Sequence, residues 1–327
     1  MQGLVTVFGG SGFMGAQAVR ALAKRGYRIR AAMRQPGRGY RLRMLGDVGQ
    51  IETVQANVRN PASVARALDG AQACVNLVGI LSERGRQRFQ SVHAMGAHVV
   101  AEEAVKAGVS RFVQVSAIGA APDAPSKYGR SKAEGEAAVR AALPDAVILR
   151  PSIAFGPEDD FFNRFARMAS TPPIAVLPLI GGGKTRFQPV FIGDVAAAIA
   201  QCVVDPATAG RTFELGGPGV YSFEALMRLL LAAIQRKAIL LPIPFPAASL
   251  IGMAGDIQAM VMKPILTTDQ VASLRTDNVV SPGAAGLSAL GVTPTALEAV
   301  LPTYLGRYRK GGQYADLVEQ VPQVLSA

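Results

Sequence analysis

Short runs of apolar residues alternate with longer segments of helical periodicity over the first half of the chain. Strands are predicted at residues 4–8, 28–32, 51–55, 73–78, 111–115 and 146–149. Between them lie predicted helices such as residues 14–24, closed by Gly26, and residues 89–107, closed by Gly108. This alternation is typical of a parallel sheet covered by helices on both faces. The predicted fold class is therefore α/β, a doubly wound parallel sheet with a smaller C-terminal α/β domain.

Beyond Arg150 the pattern loosens into stretches rich in glycine and proline, which usually connect elements over a binding cleft. A strand and a helix within residues 187–204 are expected to rejoin the main sheet. From about Lys237 the chain is richer in proline and short helices. We therefore predict a nucleotide-binding domain of residues 1–155 and 184–236, and a smaller C-terminal domain of residues 156–183 and 237–327.

The segment VFGGSGFMG, residues 7–15, joins the first predicted strand to the first predicted helix. It fits G-x-G-x-x-G on Gly10, Gly12 and Gly15, and also G-x-x-G-x-x-G on Gly9, Gly12 and Gly15. Such glycines permit a tight turn, a close approach of backbone N–H groups to a pyrophosphate, and close packing of helix on strand. A dinucleotide site of the Rossmann type is predicted. Its contacts in this loop are Gly9, Ser11, Gly12, Phe13, Met14 and Gly15.

The end of the second predicted strand distinguishes NAD from NADP, because an acidic residue there accepts hydrogen bonds from the ribose 2′-hydroxyl. The chain instead reads IRAAMRQPGRGYR, with Arg34 near that position and no acid nearby. A guanidinium suits a 2′-phosphate. The predicted cofactor is therefore NADP(H).

A second motif follows the fifth predicted strand. Ser116 ends that strand, and twelve residues later the sequence YGRSK places Tyr128 and Lys132 four residues apart. On a helix this spacing puts phenol and ammonium on one face. The lysine cation is expected to lower the pKa of Tyr128, which could then exchange a proton near neutrality, while Ser116 orients a carbonyl oxygen. Ser116, Tyr128 and Lys132 are the predicted catalytic residues.

The formal net charge is +11, and the first acidic residue is Asp47. This charge favours a phosphate-bearing ligand, an anionic membrane surface or an acidic partner. Nucleic acid is not a predicted partner, because no stacking aromatic residues are interleaved with the basic ones. His93 and His98 lack a carboxylate or cysteine partner at ligand spacing, so no metal site is predicted.

The cysteine count and the apolar runs bear on location. Two cysteines are too few for a disulfide framework, which favours a reducing compartment. The first strand begins within three residues of Met1, so no signal peptide is expected and the protein is expected to be bacterial and cytoplasmic. The longest uncharged run, residues 238–255, contains three prolines and ends at Asp256, which argues against a membrane span.

Together, GGSGFMG, Ser116 and YGRSK resemble the short-chain dehydrogenase/reductase superfamily, in its extended and atypical branch. The resemblance implies the register of Gly9, Gly12 and Gly15. It also implies that Tyr128 and Lys132 hydrogen-bond the nicotinamide ribose, a role that does not require catalysis. Further cofactor contacts implied by matching positions are Val78 and Gly79 in VNLVG, Pro151 in ILRPSIAFGP, and Asn57 and Val58, which stand where relatives carry an acid and an apolar residue beside adenine.

Three more stretches, FGPEDDFFNRFARM, TRFQPVFIGDVAAAI and YLGRYRKGGQY, are similar to the dehydrogenase-like accessory subunits of respiratory complex I. The resemblance implies a subunit that holds NADPH structurally, with other complex I subunits and the lipid surface as partners. It implies a peripheral position on the cytoplasmic face of the bacterial inner membrane. The apolar residues 238–262 could meet lipid, a partner or their own core. Two alternatives stay open: an active NADPH-dependent reductase or epimerase using Ser116, Tyr128 and Lys132, and a sensor of NADPH occupancy.

Overall fold

Strands and helices alternate along the chain, and the computed structural model describes residues 2–171, 175–258 and 266–312. The strands in these ranges are β1 (Gln2–Phe8), β2 (Tyr27–Met33), β3 (Ile51–Gln55), β4 (Ala73–Asn76), β5 (Arg111–Val115), β6 (Val147–Pro151), β7 (Ala154–Phe155), β8 (Val176–Ile180), β9 (Arg186–Phe187), β10 (Val190–Phe191), β11 (Thr212–Leu215), β12 (Tyr221–Ser222) and β13 (Ile239–Ile243). The α-helices are α1 (Phe13–Lys24), α2 (Pro61–Leu68), α3 (Met95–Lys106), α4 (Lys127–Ala142), α5 (Phe161–Ala169), α6 (Ile192–Val204), α7 (Phe223–Ala233), α8 (Phe245–Gln258), α9 (Thr268–Ser273) and α10 (Leu297–Leu305).

The main sheet has seven strands in the order β11-β6-β5-β4-β1-β2-β3, and every pairing in it is parallel. The strand order reverses between β1 and β4. In open parallel sheets a ligand crevice forms outside the carboxyl ends of the strands at such a point. The predicted α/β fold with a doubly wound parallel sheet is confirmed, and β3 and β5 have the predicted bounds.

Strand β1 shows why the sheet is buried on both faces. Val5 and Val7 pack into a cluster with helices α1 and α6, whereas Phe8 packs into a second cluster with α2, α3 and α4. Thr6 points to the second side and donates its hydroxyl to the Ala67 carbonyl oxygen at 2.7 Å. Alternate side chains of a strand face opposite ways, so a strand covered on both faces is mostly apolar, and a polar residue such as Thr6 needs a hydrogen-bond partner.

A third hydrophobic cluster joins α5, β8, α7 and α10 through residues such as Phe162, Leu177, Leu226 and Leu301. Strand β13 pairs with β8 in parallel to form a two-stranded ribbon beside this cluster. Helix α7 thus packs with elements from residues 156–183 and from the C-terminal part of the chain. The two-domain division given above stays a prediction.

Two local expectations differ from the structure. The strand within residues 187–204 does not rejoin the main sheet, because β10 pairs with the short β7 instead. The main sheet is extended by β11, whose four residues include the charged Glu214 and give little apolar signal.

The helix expected from residue 89 begins with a π-helical segment, Gln90–Ala94, and continues as α3.

Helix α8 is apolar on its exposed side as well as on its buried side. Leu250, Met253 and Ile257 are 69%, 59% and 70% exposed. The opposite side carries Gly252 and Gly255, where an added Cβ would lie 2.8 Å from the Thr268 nitrogen and 1.7 Å from the Leu266 oxygen. Within the described ranges, no helix is both long and apolar enough to cross a membrane.

Candidate functional site

The glycine loop after β1 contains close backbone contacts, and they leave no space for a side chain at Gly15. Gly9 has φ of +81°, and its amide donates to the Ala32 carbonyl oxygen at 3.0 Å. A Cβ added at Gly15 would lie 2.1 Å from the Gly9 oxygen, so α1 rests directly on the turn. Gly9 and Gly15 therefore have the turn and packing roles that dinucleotide loops require, and the register of Gly9, Gly12 and Gly15 stays a prediction.

The first turn of α1 faces the crevice without a side-chain cap. Gly12 is the N-cap residue of α1 and provides no side-chain hydrogen bond. Its carbonyl oxygen accepts from the amide of Ala16, so the amides before Ala16 have no partner within the helix. Ser11 is exposed, while Phe13 and Met14 are partly buried. Backbone N–H groups at a helix start carry partial positive charge, so this turn fits an anionic pyrophosphate.

Arg34 directly follows β2, and Asn57 comes two residues after the end of β3, at the same edge of the sheet. Arg34 is exposed, with no acidic partner in the described part of the chain. The Asn57 side chain accepts from the Arg59 amide at 3.1 Å. Val58 is 7% exposed and packs against Gly96 of α3, where an added Cβ would lie 2.9 Å from a Val58 methyl group. The guanidinium of Arg34 is thus available to an anion, and the adenine contacts of Asn57 and Val58 stay predictions.

Ser116 directly follows β5, and the structure brings Lys132 of α4 to that end of the strand, with Tyr128 near Lys132. The Lys132 ammonium donates to the Val115 carbonyl oxygen at 3.3 Å and lies 5.9 Å from the centre of the Tyr128 ring. The Ser116 Oγ is buried and has no hydrogen-bond partner among the described residues. A buried hydroxyl without a partner costs about 1–3 kcal/mol. A ligand oxygen bound beside Ser116 would remove that penalty.

Burial reverses the expected effect of Lys132 on Tyr128. It raises the pKa of Tyr128 to about 12. Burial also lowers the pKa of Lys132 to about 8, against the opposing influence of Glu136. The predicted lowering of the tyrosine pKa is therefore wrong, because burial disfavours the phenolate and the lysine lies over the ring rather than in a hydrogen bond with the hydroxyl. At neutral pH, Tyr128 is a neutral phenol that can donate.

Sequence reasoning considered His93 only as a metal ligand, but it lies within this site. Its ring is 5.5 Å from that of Phe89 and 5.4 Å from that of Tyr128. Its Nε2 accepts from the Ile80 amide at 2.9 Å, and its Nδ1 lies 2.9 Å from the Ser131 Oγ. Because the Ser131 hydroxyl already donates to the Tyr128 carbonyl oxygen, Nδ1 must carry the proton and donate to that Oγ.

The neutral state of His93 follows from its surroundings. Burial first, and then the positive charge of Lys132, lower the pKa of His93 to about 3. A Cβ added at Gly79 would lie 3.4 Å from the Lys132 ammonium and 3.5 Å from His93 Nε2. The position of His93 in the sequence gave one usable signal for its presence in this site. The first turns of a helix that follows a sheet strand lie at the carboxyl edge of the sheet.

Two residues far along the chain also hold the site. The Asp269 carboxylate in α9 accepts from the amides of Lys127 and Tyr128 at 2.6 and 3.1 Å. The Asn278 Oδ1 accepts from the Ser152 hydroxyl at 2.7 Å, just after Pro151 ends β6. Sequence reasoning missed both, because more than a hundred residues separate them from their partners. They fix the start of α4 and the loop after β6.

The stretches FGPEDDFFNRFARM and YLGRYRKGGQY meet in space. The Tyr304 hydroxyl donates to the Asp159 carboxylate at 2.5 Å, and Arg307 donates to the Asn163 side-chain oxygen. Asp159 also accepts from the amide of Gly156 at 3.1 Å. Burial raises the pKa of Asp159 despite these donors. The described part of YLGRYRKGGQY therefore anchors the loop that follows β7.

Comparisons with known proteins fit this architecture. Residues 5–216 match the NAD dependent epimerase/dehydratase family. Subunit 9 of the mitochondrial NADH dehydrogenase (ubiquinone) 1 alpha subcomplex from Arabidopsis thaliana is 35% identical over 324 residues, with 94% of this chain and 79% of that protein covered. A ceramide reductase from Caulobacter vibrioides is 31% identical over 256 residues, with 78% of each covered.

Among solved structures, the NADPH complex of an NADPH-dependent quinone oxidoreductase from Escherichia coli has the same fold. The TM-score is 0.70 at 19% identity, with 92% of this chain and 98% of that chain covered. The chain therefore belongs to the NAD dependent epimerase/dehydratase family and, within it, to the group that contains the short-chain dehydrogenase/reductase-like accessory subunits of respiratory complex I.

Proposed function

We propose that this protein is an accessory subunit of a bacterial membrane-bound NADH:quinone oxidoreductase, and that it holds NADP(H) as a structural cofactor without turnover. The observation that carries the proposal is the extent of the sequence similarity. The match to the subunit from Arabidopsis thaliana covers 94% of this chain. The protein would lie peripherally on the cytoplasmic face of the inner membrane, with other subunits of the complex and the lipid surface as partners.

The residues that would hold the cofactor line one edge of the sheet. The uncapped turn of α1 and the glycine loop suit the pyrophosphate, and Arg34 suits a 2′-phosphate. Val78 and Gly79 would lie beside a ribose, and Pro151 near the nicotinamide. Asn57 and Val58 would contact the adenine. A ligand bound only by the folded protein stabilises it by mass action, by about 4 kcal/mol at a thousandfold excess over its dissociation constant.

Within this proposal Tyr128 and Lys132 bind the nicotinamide ribose. Tyr128 keeps its proton at neutral pH, so its phenol donates a hydrogen bond, while the ammonium of Lys132 is a second donor close to it. Bound NADPH supplies a hydride when a substrate is present. Holding the cofactor needs only these hydrogen bonds, and no proton transfer from Tyr128.

Arg34→Ala is expected to weaken NADP(H) binding by about ten- to a hundredfold, because charge-assisted hydrogen bonds to phosphate contribute roughly 1.5–3 kcal/mol. NAD(H) binding should change little. Nucleotide released from the denatured protein, separated by chromatography, measures both. Arg28→Ala is the matched control, since Arg28 is exposed near the amino end of the same strand. Recovery of NAD(H) from the wild-type protein, or an unchanged NADP(H) content in Arg34→Ala, would contradict the role of Arg34.

Assembly is tested by native electrophoresis of detergent-solubilised membranes from cells that carry a tagged chain. We expect the tag to migrate with the band that shows NADH:quinone oxidoreductase activity. Deletion of the gene should lower the amount of that assembled band. A tag found only in the soluble fraction, with normal activity in the deletion strain, refutes the subunit proposal.

The alternative function is an NADPH-dependent reductase that acts on a carbonyl compound. It is favoured by the buried, unpartnered hydroxyl of Ser116, which directly follows the residue whose carbonyl oxygen accepts from Lys132, and by the relationship to a ceramide reductase. Tyr128→Phe separates the two functions. A reductase should lose carbonyl-dependent NADPH oxidation at least about a hundredfold, because general acid catalysis contributes that much. A structural subunit should still assemble with unchanged activity of the complex.

A further inference from the structure

We propose that the exposed side of α8 and the adjoining end of the β8/β13 ribbon rest on the bilayer surface, with the phosphate headgroup of an acidic phospholipid in a basic cavity beside them. This deepens the peripheral membrane position given under Proposed function. It assigns the contact to named side chains and to a lipid of stated charge.

The first part of this surface is α8. Its exposed residues Leu250, Met253 and Ile257 recur at helical spacing, while its two glycines face the protein. A helix of a water-soluble protein normally has the reverse arrangement, with polar residues outward. Residues 250–255 include no polar side chain. Protein interfaces carry about one hydrogen bond per 100–200 Å² of contact, so this face suits lipid better than a protein partner.

The ribbon continues the same apolar surface. Ile239 and Leu241 of β13 are 55% and 47% exposed, and Val176, which pairs with Ile239, is 38% exposed. Paired residues and residues two apart share one face of a sheet. Further along that face, Ile243 packs in a cluster with Ala248 of α8. The uncovered end of the ribbon therefore leads onto α8.

A shallow cavity of about 550 Å³, open to solvent, lies between the end of α7 and the start of β13, lined by Arg228, Leu231, Arg236, Lys237, Ala238 and Leu240. Ala238 and Leu240 flank Ile239 in the chain, and their side chains lie on the opposite face of the ribbon, so the cavity lies behind the start of β13 and Lys237 stands at that end of the ribbon. Arg228 is paired with Glu224 at 2.6 Å, and Arg236 donates to the Tyr308 carbonyl oxygen at 2.6 Å.

Charge decides which lipid suits the cavity. Lys237 is exposed and has no acidic partner in the described ranges. No acidic residue occurs between Glu224 and Asp256 in the sequence. An uncompensated cation in a cavity beside an apolar surface matches a lipid with an anionic headgroup.

Flotation of the purified full chain with vesicles tests the proposal. Vesicles of phosphatidylcholine alone are compared with vesicles that contain roughly one third phosphatidylglycerol, and the wild-type protein is expected to prefer the latter.

Changing Leu250, Met253 and Ile257 to glutamine should weaken binding at least about tenfold per side chain. Lys237→Gln should weaken binding to the anionic vesicles alone, by about fivefold, and Lys237→Arg should restore it. Met44→Gln and Lys24→Gln change exposed residues elsewhere and serve as matched controls.

The proposal is overturned if the wild-type protein floats with neither kind of vesicle, or if the triple α8 variant floats as well as the wild type. Equal binding to both vesicles, with no effect of Lys237→Gln, overturns the headgroup assignment. None of these results depends on other subunits. Co-migration with the respiratory complex would therefore still stand on its own evidence.

Discussion

Replacing Gly15 with valine is expected to remove the bound nucleotide and to lower the free energy of unfolding by at least about 3 kcal/mol. The new Cβ would lie 2.1 Å from the Gly9 oxygen and 2.7 Å from the Gly10 Cα. Both are backbone atoms of the glycine loop, so no side chain can rotate away. Relief requires α1 to move off the turn, which separates the α1 amides from any pyrophosphate bound there.

Urea unfolding measures the stability change, and nucleotide released on denaturation measures the occupancy. Gly306→Ala is the control, because Gly306 has a helical φ of −53° and no heavy atom within 4 Å of its added Cβ. We expect that change to stay within about 0.5 kcal/mol. Wild-type nucleotide content in Gly15→Val would show that the loop does not hold the cofactor. Gly12→Ala has one close neighbour, the Gly9 oxygen at 3.3 Å, and should reduce nucleotide content more than stability.

The second large effect concerns acid stability. His93 is neutral in the folded protein down to a pKa of about 3, whereas a histidine in an unfolded chain has a pKa of about 6.5. Between these values the unfolded chain binds a proton that the folded chain does not. The free energy of unfolding should therefore fall as the pH drops below about 6.5, by about 3 kcal/mol at pH 4 from this residue alone. Above about pH 6.5, His93 does not change the free energy of unfolding with pH.

His93→Gln keeps a donor and an acceptor but cannot titrate, so its stability should depend less on pH. The measurement is urea unfolding of both proteins at pH values from neutral to about 4. Other groups titrate in the same range, so the difference between the two proteins carries the test. His98→Gln is the control, since His98 is half exposed on α3 and pairs with Glu102 at 3.2 Å. Parallel pH profiles for the wild type and His93→Gln would refute the neutral, buried state.

The main sheet could be predicted because its information is local. Each predicted strand is a short segment dominated by apolar residues, and the glycine loop lies between a strand and a helix, the context in which such a spacing indicates a dinucleotide site. Strand β11 was missed because it is short and contains Glu214, whose charge is offset by Arg150 at 3.6 Å. That ion pair forms only in the folded chain.

The chemistry of the site could be predicted only in part. Spacing placed Tyr128 and Lys132 on one helical face, but the direction of the tyrosine pKa depends on burial, which spacing does not record. His93 enters the site through a π-helical turn that a regular helical period does not reveal. Asp269 and Asn278 act across more than a hundred residues, and nothing in their neighbourhood marks them.

The hydrogen bonds of Asp269 have a consequence for how the molecule can be divided. Ser126 caps only the amide of Gly129, so the first two amides of α4 depend on a carboxylate from α9. Leu287 and Leu290 likewise return to pack in the cluster around β1 and α1. A fragment that ended at residue 236 would keep every glycine of the nucleotide loop and still lack these supports. We therefore expect that residues 1–236 alone are not a transferable module, and fusion or truncation designs should retain the chain through α10.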